Sequence, residues 1–404
     1  MNQIQSMNGN TTITARVMRA LPNIWALPRS LSLDWAYAAA GQRDLRLDLL
    51  RGFAVFAMVA DHFGGSSWLY LITGGNTFIV SAAEAFIFIS GLTVGIVYGA
   101  LAMQEGLRSA QFKALKRALT LYKLGVALTL LFASISVLFK LPWSDQVQSG
   151  DPLRFALNVA TLRQTMYLVD IPLMYLFLML AVPAGLWLLI KGQTVLLLAA
   201  STALWTVSQL FPTQLQVPWP IMGNTAFNLA AWQLLFFVAM AIGFHRKALS
   251  ERFAGLPRLP YFLFIGLCLV RLLQFNATRG AMLADLIPGL NTQAFMNGLF
   301  LKSALAPGRL IASAILFQFA FLAATLLWRP VAALFGWLLL PLGQNALYGY
   351  TMHVVVIGLF SAVLPYLPGS VMNMGAISTS LQLLAILAIW LMIQRRFLFR
   401  LVPR

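Results

Sequence analysis

The chain has 404 residues, 60% of them hydrophobic and only 10% charged, with a mean hydropathy of +0.80 and a formal net charge of +17. A soluble domain has about a quarter of its residues charged, so this chain cannot cover its apolar surface in water, and its solvent must be lipid. The positive charge lies in short stretches between apolar runs, which points to the bilayer and not to nucleic acid, and the single cysteine, Cys268, excludes a disulfide framework.

In lipid every backbone N–H and C=O needs an internal partner, and apolar runs of about 20 residues make the spans helices, not barrel strands. Residues 1–42 read as a basic cytoplasmic or interfacial arm. The arm holds Arg16, Arg19 and Arg29, has no acid in 1–33, and lacks the short apolar core of a signal peptide; a transit peptide is the alternative. Ten spans follow, at roughly 47–65, 78–101, 115–139, 166–190, 194–211, 225–244, 260–275, 309–328, 332–364 and 376–394. The ninth is too long for one crossing, and Pro341 and Gly343 are expected to break it, with the crossing starting near Gln344. A basic tail, 397–404, follows a single transmembrane domain over 43–396. With the N-terminus inside, 21 of the 28 Lys and Arg residues fall in inner segments and 7 in outer ones, the asymmetry that the positive-inside rule favours. The expected fold is therefore all-α: a polytopic integral membrane helical bundle of about ten transmembrane helices, N-in and C-in. No internal repeat of the kind that builds many secondary transporters is visible. The longest outer connection, 276–308, reads as a re-entrant segment or a lid.

Ionisable residues at membrane depth are expensive and mark functional sites. The candidates are Arg51, Asp61, His62, Glu84, Asp170 and His353. Arg51 and His62 are eleven residues apart, about three helical turns, which puts them on one face and about 16 Å apart along the axis. Glu84, in the second span, needs a partner, and Asp61 and His62 across the short hairpin are the expected ones. Gly91, Gly95 and Gly99 form a small-residue stripe for close helix packing. Asp170 opens the fourth span, where simple solvation competes with a functional role. Asn345 is expected to satisfy backbone near Pro341, and His353 reads as a core hydrogen bond or a catalytic group.

Arg46-Leu-Asp-Leu-Leu-Arg51-Gly, an apolar run, Asp61-His62, then Ala83-Glu84-Ala-Phe-Ile-Phe-Ile-Ser90-Gly91 resembles the start of OpgC-type proteins. These are bacterial inner-membrane enzymes associated with succinylation of osmoregulated periplasmic glucans. Asp170-Ile-Pro-Leu-Met-Tyr175, Ala230-Ala-Trp-Gln-Leu-Leu-Phe236, Lys302-Ser-Ala-Leu-Ala-Pro-Gly-Arg309 and Gln344-Asn345-Ala-Leu-Tyr348 with His353 extend the likeness over about 43–395. It implies that His62 is the essential histidine, and that Arg46 and Arg51 engage an acyl donor from the cytoplasm. One departure is Gly91-Leu92-Thr93, where the family would carry an aromatic residue.

The expected chemistry follows. Acyl-CoA is a co-substrate, with no permanently bound cofactor. Arg46, Arg51, Lys113, Lys116 and Arg117 would hold its phosphates. His62 would take the proton of an acceptor hydroxyl, with Glu84 or Asp61 fixing its tautomer, or would itself carry the acyl group. Asn345 or Tyr348 would donate to the oxyanion. A carbohydrate acceptor would approach from outside, where Trp68, Tyr70, Trp143 and Trp219 could stack on sugar rings or simply form the interfacial aromatic belt. Arg163 is a candidate cation for a succinyl carboxylate. No ligand spacing supports a metal. A proton-coupled transporter using His62, Glu84 and Asp170 is the alternative, and a non-catalytic scaffold the third reading.

Overall fold

A computed structural model describes residues 35–38, 43–75, 77–147, 151–224, 226–279, 281, 287, 291–366 and 371–403. Most of the predicted arm, and part of the 276–308 connection, lie outside these residues. Apart from one isolated bridge between Gln164 and Met222, every regular element described is helical. The helices in chain order are α1 (Leu45–Phe63), α2 (Ala82–Glu105), α3 (Leu107–Leu138), α4 (Pro152–Ala160), α5 (Asp170–Ile190), α6 (Thr194–Leu210) and α7 (Leu229–Phe244). They continue as α8 (Arg246–Arg252), α9 (Arg258–Ala277), α10 (Thr292–Leu299), α11 (Pro307–Leu326), α12 (Trp328–Gln344), α13 (Ala346–Val363) and α14 (Gly375–Gln394).

Seven of these helices are long and apolar enough to cross a membrane, or eight if α7 and α8, bent by 72°, count as one span. The apolar runs of the sequence predict about ten. The difference has physical causes. Helix α1 carries Arg46, Asp48, Arg51 and Asp61 within 19 residues, too many charges for a simple apolar span. Helix α6 has only 17 residues. The predicted ninth span is two helices, and its break lies at Asn345, not at Pro341 or Gly343. Pro341 removes the N–H that would bond the Trp337 carbonyl, and the Trp390 indole N–H occupies that carbonyl instead, at 2.9 Å. Helix α12 can therefore run through the proline.

Gly343 has a packing role. A Cβ there would lie 1.7 Å from the Asp48 carbonyl oxygen, and one at Gly52 would lie 1.9 Å from the Leu339 oxygen, so α1 and α12 meet backbone to backbone. The predicted glycine stripe does the same for α2 and α7: a Cβ at Gly95 would fall 2.0 Å from the Met240 oxygen, and one at Gly91 2.3 Å from the Phe236 oxygen. In lipid, where apolar burial does not drive helices together, such close approach supplies the packing energy. Gly95→Leu is expected to destabilise the fold by about 1–3 kcal/mol or more, measured as a lower thermal midpoint in detergent. Gly125→Ala, which faces open space, should leave the midpoint unchanged or raise it.

Cross-helix contacts orient the bundle around α1. Gly349 on α13 packs against Val55, and Phe360 stacks on Phe63, so α13 runs parallel to α1. Helix α14 runs antiparallel: Gln382 donates to the Gly64 carbonyl at 3.0 Å, while Phe397, just beyond its end, accepts from the Tyr348 hydroxyl. The domain thus begins and ends at the same end of the bundle. The core is centred on Trp232, Tyr348 and Tyr350, all fully buried. Helix α9, with Leu263, Phe264 and Leu267 exposed, turns an apolar flank outward.

Candidate functional site

Helix α1 starts with Asp44 as its N-cap and ends at Gly64, whose φ of 77° lets the chain turn sharply after His62 and Phe63. His62 is therefore one residue from the end of its helix, and it keeps part of its surface open. Its Nδ1 lies 3.2 Å from Nε2 of His353 on α13. The other ring nitrogen of His353, Nδ1, points at the Tyr350 carbonyl. A carbonyl only accepts, so His353 Nδ1 carries the proton and its Nε2 is the lone-pair side. His62 Nδ1 must then be the donor between the rings. The chain of bonds leaves the lone pair of His62 on Nε2, unconsumed by either partner and ready to accept a proton.

This corrects the expected partner of His62. Glu84 is not beside it. One Glu84 oxygen accepts from the backbone and side chain of Ser81 at 3.0 and 2.5 Å, closing a capping box at the start of α2. The other accepts from Arg309 Nε at 2.6 Å, with Arg309 Nη2 also paired to it. Both side chains are buried. Asp61 accepts from the Thr73 hydroxyl at 2.5 Å. The expected oxyanion donors are engaged elsewhere too: Asn345 donates to the Pro341 carbonyl, and Tyr348 to Phe397, both nearer the other end of α1.

Tyr167, which is 40% exposed, has its ring 6.5 Å from that of His62 and stacks on Trp143 at 5.3 Å. Asp170 opens α5 three residues later, where a carboxylate suits the helix N-terminus. Lys302 lies close enough to His62 and Asp170 for its charge to act on both, and its ammonium sits 5.5 Å from the centre of the Phe227 ring. Tyr167, Tyr350 and Lys302 were not singled out as site residues from sequence. Only Lys302 left a signal, as the first residue of a matched motif.

The basic candidates separate. Arg46 and Arg51 are five residues apart, about 140° around a helix. Arg46 bonds both Asp44 oxygens and Thr325, sandwiched between the rings of Tyr37 and Phe321 at 4.5 and 4.4 Å. It fastens α1 to α11. Arg51 points the other way, to Thr93 on α2 at 2.5 Å, and shares Asp48 at 3.7 Å with Arg43. The hydrogen bonds that Arg43 donates to the Asp48 carboxylate hold its guanidinium above its ordinary pKa. Arg117, on α3, is near enough to Arg51, Tyr98 and Tyr175 to act on them electrostatically. Lys113 pairs with Glu105 at 3.0 Å on an exposed surface, and Lys116 is exposed. Among the described residues, no group of three or more His, Cys, Asp or Glu side chains is placed to hold a metal ion.

A family model described as OpgC protein matches residues 43–396. The chain belongs to the OpgC family. Membership points to a membrane acyltransferase acting on glucans. No significant match was found among curated proteins or among solved structures.

Proposed function

We propose that this OpgC-family chain transfers an acyl group, succinyl or acetyl, from cytosolic acyl-CoA to a hydroxyl of an extracytoplasmic glucan, in a bacterial inner membrane with both chain ends in the cytoplasm. The observation that carries the reading is the Tyr350 carbonyl–His353–His62 chain, which leaves the lone pair of His62 on Nε2 at a partly open helix end. His62 Nε2 takes the proton of the acceptor hydroxyl as its oxygen bonds the thioester carbon. The tetrahedral intermediate collapses, the C–S bond breaks, and the imidazolium returns the proton to the leaving thiolate. His353 accepts the Nδ1–H bond of His62 throughout and so fixes the ring's tautomer and orientation, the positioning part of a carboxylate's role in other triads. Lys302 is the cation whose field reaches this point.

Arg51 and Arg117 support a polyanionic donor. They bring two positive charges within electrostatic reach of one another, and Asp48, the ion partner of Arg51, is already shared with Arg43. Phosphates would relieve that repulsion. Arg51→Ala is expected to raise KM for the donor roughly 10- to 100-fold, the loss of one charge-assisted contact. Arg46→Ala should instead lower the thermal midpoint and leave donor KM near the wild-type value.

The test is transfer of label from acetyl-CoA or succinyl-CoA to glucan by detergent-purified protein. Label on the glucan supports the reading. No CoA binding and no label on any acceptor would overturn the reading in favour of a proton-coupled transporter.

A further inference from the structure

A cleft with about 190 Å³ of internal space lies between the loop before α7 and the segment before α11. Its wall includes Phe177, Gln216, Trp219, Asn224, Phe227 and Ser303. Both sides are held rigidly. On one, the Trp232 indole donates to the Lys302 and Ser303 carbonyls at 3.2 Å each, Trp205 to Leu305 at 3.1 Å and Gln209 to Ala304 at 2.7 Å. On the other, Met222 exchanges backbone bonds with Arg163 and Thr165 at 2.9 Å each, and Trp219 donates to the Leu162 carbonyl at 3.0 Å. Gly223 takes a φ of 80° and approaches the Thr165 oxygen so closely that a Cβ would sit 2.2 Å from it. A cleft fixed in this way is organised before any ligand arrives.

Its chemistry is specific. Trp219 is 40% exposed and meets Phe177 edge to face at 5.8 Å, so it presents indole surface to the cleft. Asn224 uses its amide N–H to reach the Phe227 carbonyl at 2.9 Å, yet its Oδ1 is buried with no partner. The hydrogen-bonding groups open to the cleft are those of Gln216, an exposed amide on its wall, and the partly exposed Ser303. An aromatic surface with amide groups at its edge, and no charge among the six wall residues named, suits a neutral polyhydroxylated ring: C–H groups on the indole, hydroxyls on the amides.

The cleft is linked to the histidine pair through Lys302, which lies between the lining residues Leu301 and Ser303 and whose charge reaches His62. The loop that carries Trp219 bonds the backbone of residues 162–165, and Tyr167, two residues further on, has its ring 6.5 Å from that of His62. Phe227 carries the Lys302 ammonium over its ring on the same flank.

We propose that this cleft is a subsite for a sugar unit of the acceptor other than the one acylated, so that the protein selects oligosaccharides over single glucosides. The proposal rests on the acyltransferase reading for its consequence, but not for its first measurement. That measurement is calorimetric titration of a neutral linear gluco-oligosaccharide into detergent-purified protein without acyl donor. Trp219→Ala and Gln216→Ala should weaken binding about tenfold each, and Trp219→Phe, which keeps an aromatic face, should recover most of the loss. Thermal midpoints matched to wild type would separate this from misfolding. In transfer assays the alanine variants should raise KM for the oligosaccharide and leave kcat, and KM for methyl glucoside, unchanged. Oligosaccharide binding in the absence of any acyl transfer would uphold the subsite while sinking the enzyme reading. Unaltered oligosaccharide affinity in both alanine variants would overturn the subsite, as would altered phospholipid retention with sugar affinity intact.

Discussion

His62→Ala is expected to lower acyl transfer by about 10²–10⁴-fold, the usual contribution of a positioned general base, or further if His62 carries the acyl group. Donor binding and thermal midpoint should stay near wild type, because His62 lies at the end of α1 and bonds the side chain of His353, not the backbone of another helix. His353→Leu tests the tautomer argument. Without the Nε2 acceptor, nothing in the pair holds the proton of His62 on Nδ1, and the ring is free to protonate Nε2, the wrong nitrogen for base catalysis. Transfer should fall by a comparable order, and the double variant should be little worse than His62→Ala alone, since groups that act as a unit are not additive. Rapid-quench kinetics would expose a labelled protein intermediate if the histidine is a nucleophile. Full activity in His62→Ala would refute the role assigned to it.

That pair shows where sequence reading stops. Periodicity placed Arg51 and His62 on one face of α1, and Arg51 does turn to Thr93 while His62 meets α13, both inside the bundle. The same arithmetic, applied to Arg46, separates it from Arg51, and the structure gives it a fastening role between Tyr37 and Phe321. The glycine stripe on α2 was legible because close backbone contact demands a missing Cβ, whichever helix arrives. What was not legible is which helix arrives. His353 lies 291 positions from His62, and Arg309 lies 225 from Glu84. Nothing local to either residue encodes such a partner. A buried carboxylate announces only that it needs a cation or a proton, and the nearest candidates in sequence, Asp61 and His62, proved to be bonded elsewhere. The break at Asn345 was misplaced for a related reason. Proline usually ends a helix by orphaning a carbonyl, and here Trp390, from α14, supplies the missing donor.

The Glu84–Arg309 pair has the largest expected effect on stability. It joins the first turn of α2 to the first turn of α11, and both side chains are almost wholly removed from solvent. Removing one partner leaves the other charge buried and unpaired, which costs about 3–5 kcal/mol. Arg309→Met should therefore lower the thermal midpoint sharply, and Glu84→Gln should do so less, since the amide can keep an oxygen for Ser81 or for Arg309. The double variant Glu84→Gln/Arg309→Met should regain part of the loss, because no charge is then stranded. The pair also bears on the site. Arg309 reaches the Phe300 carbonyl at 3.4 Å, at the start of the segment that carries Lys302 and one wall of the cleft. Loss of transfer in these variants should accordingly track loss of fold, with kcat per folded molecule close to wild type. A Glu84→Gln protein of normal stability that no longer transfers acyl groups would place the carboxylate in the chemistry after all, through a rearrangement that brings α2 to His62.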